Sequence, residues 1–189
     1  MLITEISIGE GALLRLEGKV ALITGAANGL EGQLMGFGGA TARLFAREGA
    51  KVILTDINDN NGIKTATQIS ESGAEVEYLS LDVTRQDKWA DAVDFTVSHF
   101  GRIDVLVNSA GFRTETDVEN TTVEIWDGEF AVHARGTFLG TKAVIPVMRK
   151  MGGGSIINVS SIYGLVGSNT ATAYHAAKGA VRLFTKAAA

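Results

Sequence analysis

Five short runs rich in Val, Ile and Leu, separated by longer amphipathic stretches, constrain the fold of this 189-residue chain more than any other feature. The runs lie at residues 19–24, 51–56, 75–80, 103–108 and 155–160. Near-continuous apolar character over so few residues reads as a strand buried on both faces. The stretches at 39–48, 60–72, 86–100 and 122–151 read as helices, the last with a break, and 172 to the end reads as a final helix. Strands alternating with helices imply an α/β fold whose parallel sheet is covered on both sides. Right-handed crossovers make that sheet doubly wound. The apolar share of 46% and charged share of 20% fit one globular domain with a sizeable core. That domain is placed at 18–189, with 1–17 as an N-terminal extension.

Several function classes drop out on composition. A net charge of -4 gives no reason to expect a nucleic acid or membrane partner. No apolar run approaches the roughly 20 residues of a membrane span. The chain has no cysteine, hence no disulfide framework, thiolate metal site or thiol nucleophile. Three dispersed histidines argue against a metal centre. The N-terminus carries no signal-peptide pattern, and a cytoplasmic location is the expectation.

The first two strands carry a nucleotide signature. The run from Val20 to Thr24 ends in Gly25, and Gly29 follows four residues later. A strand-to-helix turn of this kind sets backbone N–H groups and a helix N-terminus against a pyrophosphate. Asp56 closes the second strand, where an acid accepts hydrogen bonds from the adenosine ribose and repels a 2′-phosphate. Asn28 and Ile57 are uncharged, so no cation waits for that phosphate, and NAD is expected in preference to NADP.

Near the other end, Tyr174 and Lys178 stand four residues apart, one turn of a helix, with Ser161 thirteen residues before the tyrosine. A cation one turn away favours phenolate over phenol, and such a tyrosine can take a proton from an alcohol or return one to a carbonyl. Taken alone, the spacing also suits an ordinary solvated helical pair.

Together these motifs make residues 18–189 resemble the short-chain dehydrogenase/reductase family. Thr24-Gly25-Ala26-Ala27-Asn28-Gly29 looks like its cofactor motif, and Leu81-Asp82-Val83 like its adenine-contacting segment. Asn108-Ser109-Ala110-Gly111 looks like its Asn-Asn-Ala-Gly motif, with Ser109 in place of the second Asn. Asn158-Val159-Ser160-Ser161 carries its active-site serine, and Tyr174 and Lys178 match its catalytic pair. The resemblance implies a hydride transfer between NAD(H) and a secondary alcohol or ketone. Tyr174 would be the general acid/base, Lys178 its electrostatic partner and a holder of the nicotinamide ribose, and Ser161 the anchor of the substrate oxygen. The cofactor contacts it implies are Gly25, Asn28, Gly29, Leu30, Gly38, Asp56, Ile57, Asp82, Val83, Asn108, Ala110, Gly111, Tyr174 and Lys178. It also implies pairing into a homodimer or homotetramer through the helices at 122–151 and 172–189.

Three departures stand out. Deleting 31–37 restores a near-ideal glycine motif with Gly38 as third glycine, so seven residues look inserted, with a boundary that can slide by one. Gly32 and Gly36 argue for a bulged loop rather than extra helix. Such a loop either lies outside the cleft or displaces the helix end that should hold the pyrophosphate, which would weaken cofactor binding. His133 stands where the family has an asparagine that helps hold a water in a proton relay to the lysine; it either serves that relay or fills space. The family continues with two strands and a substrate-covering loop, whereas this sequence ends in residues of helical character at Ala189. The expectation is an enzyme; the alternative is a nucleotide-binding protein of this fold without efficient turnover.

Overall fold

The computed structural model describes residues 14–189; of the expected N-terminal extension, residues 1–13 lie outside them. Leu16 packs against the core, its N–H donates to the Glu48 carbonyl at 2.9 Å, and Arg15 pairs with Glu48 at 2.8 Å.

Five parallel strands form one sheet, as the apolar runs predict, and they stand in the order β3-β2-β1-β4-β5 that the family resemblance implies. They are β1 (Val20–Thr24), β2 (Lys51–Asp56), β3 (Val76–Ser80), β4 (Val105–Asn108) and β5 (Ser155–Asn158). Alternate residues feed two cores. Ala21, Ile23, Val52 and Leu54 face α1 (Phe37–Arg47) and α2 (Asp59–Ser70). Leu22, Ile53 and Leu106 face α3 (Gln86–Phe100) and α5 (Gly136–Lys150). Because both faces are covered, β1 is buried throughout, which explains why its sequence shows a run rather than an alternation.

The helix expected to break inside 122–151 does not break. Helix α4 (Val123–Phe130) passes through a π-helical turn, Ala131–Arg135, into α5. The wider turn rotates the residues it carries relative to a regular helix, and such turns gather at functional sites. The final helix, α6 (Thr172–Ala188), follows a left-handed Ala171 and a short 3₁₀ turn at Ile162–Gly164. No described helix is long and apolar enough to cross a membrane.

The inserted residues form a loop closed at its base. The Gly36 N–H donates to the Asn28 carbonyl at 2.8 Å, and α1 starts at Phe37. Gly38 then lies against β1: a Cβ there would sit 2.3 Å from the Gly25 carbonyl oxygen. Gly29 and Gly39 approach each other as closely, at 2.5 Å from a Cβ on Gly39 to the Gly29 Cα. These contacts seat α1 on the end of β1 despite seven extra residues.

Candidate active site

A cleft of about 910 Å³ opens above the carboxyl ends of the strands, where the strand order reverses between β1 and β4. This is where doubly wound sheets bind ligands. One end is bounded by Asp56, Ile57, Asp82 and Val83, the middle by Gly25, Asn28, Ala110 and Gly111, and the far end by Ser161, Tyr174, Lys178 and His133.

At the first end, the Asp56 carboxylate is fixed by N–H donors from Ala27 and Asn58, each 3.0 Å away. In the middle, Gly25 adopts φ +66°, and a Cβ there would lie 2.6 Å from Ala110 Cα, so only glycine lets the β1 and β4 turns meet. The Thr24 hydroxyl holds that meeting, accepting from the N–H groups of Ser109 at 3.0 Å and Ala110 at 3.1 Å. The N-terminus of α1 also faces the middle through Gly36 and Phe37, without a side-chain cap. Uncapped first-turn N–H groups and the helix dipole favour an anion.

Four residues named from the sequence do not line the cleft. Gly29 and Gly38 lie beneath it as packing glycines. Asn108 is buried and ties β4 to β5 through a 2.9 Å bond to Asn158, which reaches Thr185 of α6. Leu30 is carried off with the loop, and Phe37 takes the place beside Gly38. The insertion therefore spans 30–36 rather than 31–37, the one-residue slide that sequence spacing leaves open. Residues 31–35 point away from the cleft, with the Glu31 N–H bonded to Gln68 at 3.1 Å and Leu34 98% exposed.

At the far end, α6 presents Tyr174 and Lys178 one turn apart to the cleft. The Lys178 ammonium lies 5.6 Å from the Tyr174 ring centre and donates to the Val159 carbonyl at 2.8 Å. Burial lowers Lys178 to about 8, while the charge of Glu129 pulls it upward. Ser161 starts the 3₁₀ turn, its hydroxyl accepting from the Tyr163 N–H at 3.2 Å. Its neighbour Ser160 braces α6 through the Lys178 carbonyl at 2.9 Å. His175 turns away, stacking on Tyr163 at 4.2 Å, as its helical offset predicts.

His133 sits on the π turn with 1% exposure, edge-on to Tyr174 at 5.1 Å between ring centres. Its Nε2 lies 2.8 Å from the Phe112 carbonyl, which can only accept, so Nε2 carries the proton. Burial and the Lys178 charge hold His133 down at about 4, so the ring is neutral at physiological pH rather than poised to charge. Glu129, absent from the sequence reading, completes this end with 0% exposure. Its spacing of four residues before His133 on a helix was the available signal.

The chain matches the short chain dehydrogenase family over residues 19–189. It is 48% identical over 175 residues to a cyclopentanol dehydrogenase of Comamonas sp., covering 93% of this chain and 67% of that protein. It is 41% identical over 181 residues to a trans-4-hydroxycyclohexanecarboxylate dehydrogenase of Sinomonas cyclohexanicum, with the same coverage. Among solved structures, a short chain dehydrogenase/reductase from Burkholderia phymatum in complex with NAD superposes with a TM-score of 0.85 at 28% identity. That match covers 91% of this chain and 59% of that one.

Proposed function

The chain belongs to the short-chain dehydrogenase/reductase family, and on that premise we propose that it moves a hydride between NAD(H) and a ring-borne secondary alcohol or its ketone. The observation that carries this reading is the convergence of Ser161, Tyr174 and Lys178 at one end of a cleft whose other end holds Asp56. The residues present fit a dinucleotide. Asp56 suits the adenosine ribose, the uncapped start of α1 with Gly25 and Asn28 suits the pyrophosphate, and Lys178 suits the nicotinamide ribose. NAD, when bound there, supplies the hydride acceptor.

In the oxidative direction Ser161 donates a hydrogen bond to the substrate oxygen, and Tyr174 as phenolate takes the hydroxyl proton. The carbinol C–H bond breaks with its electron pair leaving as hydride, and a C=O bond forms. Lys178 supplies the nearby positive charge that favours the phenolate. Reduction runs the same steps in reverse, with Tyr174 giving its proton back. Asp56 at the ribose end, with uncharged Asn28 and Ile57 beside it, supports NAD in preference to NADP. The names of the two similar proteins described above, dehydrogenases of cyclopentanol and of trans-4-hydroxycyclohexanecarboxylate, support a hydroxyl borne on a five- or six-membered ring.

A panel of cyclic secondary alcohols with NAD, read by NADH formation, tests this. Turnover of cyclopentanol or cyclohexanol is expected, and Tyr174→Phe is expected to lose about a thousandfold in kcat while still binding NADH. NADH binding with no turnover of any member would instead favour a non-catalytic nucleotide-binding protein.

A further inference from the structure

The proposed reaction uses neither of two side chains buried behind the cleft. Glu129 on α4 and His133 on the π turn are 0% and 1% exposed. A buried carboxylate is unfavourable unless it is well bonded. Glu129 Oε1 accepts from the Thr114 N–H at 2.7 Å, but Oε2 accepts no hydrogen bond among the described residues. Stability alone is a poor reason to bury a group so incompletely satisfied.

What the two side chains share is their target. They stand four residues apart and both bond to the backbone of segment 112–114. His133 Nε2–H donates to the Phe112 carbonyl at 2.8 Å, and Glu129 takes the Thr114 N–H two residues on. A C=O and the N–H two residues later are the pair that a neighbouring strand would engage. Here two helix side chains take that place. The segment has no regular secondary structure of its own, and the N–H groups of Arg113 and Glu115 make no hydrogen bond among the described residues. Its other ties lie further out. The Thr116 carbonyl accepts from the Thr172 N–H at 3.1 Å, and Glu115 accepts from the Thr170 hydroxyl at 2.9 Å. The Arg113–Glu115 ion pair is about half-exposed, and such pairs hold little. The contacts from Glu129 and His133 are buried, where a hydrogen bond is stronger and costlier to lose.

The held segment borders the reacting end of the cleft. Phe112 and Arg113 line it. The Phe112 ring centre lies 5.9 Å from that of His133, which is edge-on to Tyr174 at 5.1 Å. Ile162 lines the cleft next to Ser161, and both Phe112 and Ile162 are exposed, so the two leave apolar surface for a substrate ring. Resting on the oxidoreductase reading above, we propose that Glu129 is a positioning residue. With His133 it clamps the backbone of 112–114, so that Phe112 stands as a fixed apolar wall for the substrate ring beside Tyr174. A wall ordered in advance spares that ordering on binding, so the clamp acts on substrate affinity.

The test compares Glu129→Leu, which removes the acceptor at similar size, with Glu129→Gln, which keeps an oxygen for the Thr114 N–H. Amide hydrogen exchange is read by NMR in the intact chain without cofactor. In the wild type the Thr114 amide should exchange at least about a hundredfold more slowly than those of Arg113 and Glu115. Glu129→Leu should lose about tenfold or more of that protection, and Glu129→Gln should keep most of it. In parallel, KM for cyclopentanol or cyclohexanol should rise about tenfold in Glu129→Leu, with much smaller changes in kcat and NADH affinity. Fast exchange at Thr114 in the wild type, full protection in Glu129→Leu, or a Glu129→Gln variant as impaired as Glu129→Leu each overturns the clamp. If Glu129→Leu fails to fold, the wild-type exchange pattern judges the clamp and Phe112→Ala judges the wall, with a KM rise of about tenfold expected. Wild-type turnover with an unmoved KM in Phe112→Ala sinks the wall alone. A wild type that turns over no ring alcohol sinks the oxidoreductase reading, and the exchange data then judge the clamp by themselves.

Discussion

The two ends of the cleft absorb change in opposite ways. At the end near Gly25 and Asn28, seven residues look inserted, and α1 still packs on the end of β1. Loop 30–36 turns outward, its base is closed by the Gly36–Asn28 bond, and Gly38 still seats α1 on β1. At the end that holds Tyr174 and Lys178 nothing is inserted, yet one histidine is met by a buried glutamate and a widened helical turn. Water solvates whatever the loop exposes, so length there is cheap; loop-closure entropy grows only slowly with size. A buried ionisable group has no such outlet, and each change demands a partner within a few ångströms.

The sharpest way to break this comparison is to attack the seat of the loop rather than the loop. Gly38→Ala puts a Cβ 2.3 Å from the Gly25 carbonyl oxygen and 2.9 Å from that of Thr24, both backbone atoms. We expect a loss of about 3 kcal/mol in unfolding free energy and weaker NADH binding, read by denaturant titration and fluorescence. A variant as stable as wild type would mean that α1 is not seated there.

The second prediction sharpens the buried end. His133 is held at about 4 when folded against an ordinary 6.5, so between these values the unfolded chain binds a proton that the folded chain refuses. Stability from this residue is present above about 6.5 and is lost as pH falls towards 4. Glu129, raised when folded, works in the opposite sense as pH rises above its ordinary 4.5. Comparison with His133→Asn isolates the histidine. Between pH 6.5 and 4 the wild type should lose up to about 3 kcal/mol more than the variant. Parallel pH dependences in urea denaturation would show that His133 is not buried as a neutral ring.

The smallest effect is expected from the loop itself. Deleting 31–35 should change NADH affinity by less than about threefold, because those residues do not line the cleft. A tenfold change in either direction would show that the loop reaches the cofactor.

Much of this was legible in advance, for reasons visible in individual residues. Val20–Thr24 and Lys51–Asp56 are buried on both faces, so their apolar runs were unambiguous and fixed two neighbouring strands. Asp56, Tyr174 and Lys178 line the cleft as expected because their placement depends on local spacing: an acid at a strand end, or two side chains one turn apart. Asn108 was misplaced at the cleft because only the pairing of β4 with β5 and α6 shows where its amide goes. Leu30 was misplaced because a one-residue choice of boundary leaves the linear motif almost unchanged while exchanging Leu30 for Phe37 in space.

The sequence by itself determined the α/β class, the strand order through its family resemblance, and the serine–tyrosine–lysine set. These rest on periodicity and short spacing, which the backbone imposes locally. Only the tertiary structure decided which way the insertion turns, that 131–135 winds as a π turn, and that Glu129 lies buried beside His133. Those outcomes depend on which distant segments exclude water from one another, and that is settled only when the sheet, α4 and α6 pack together.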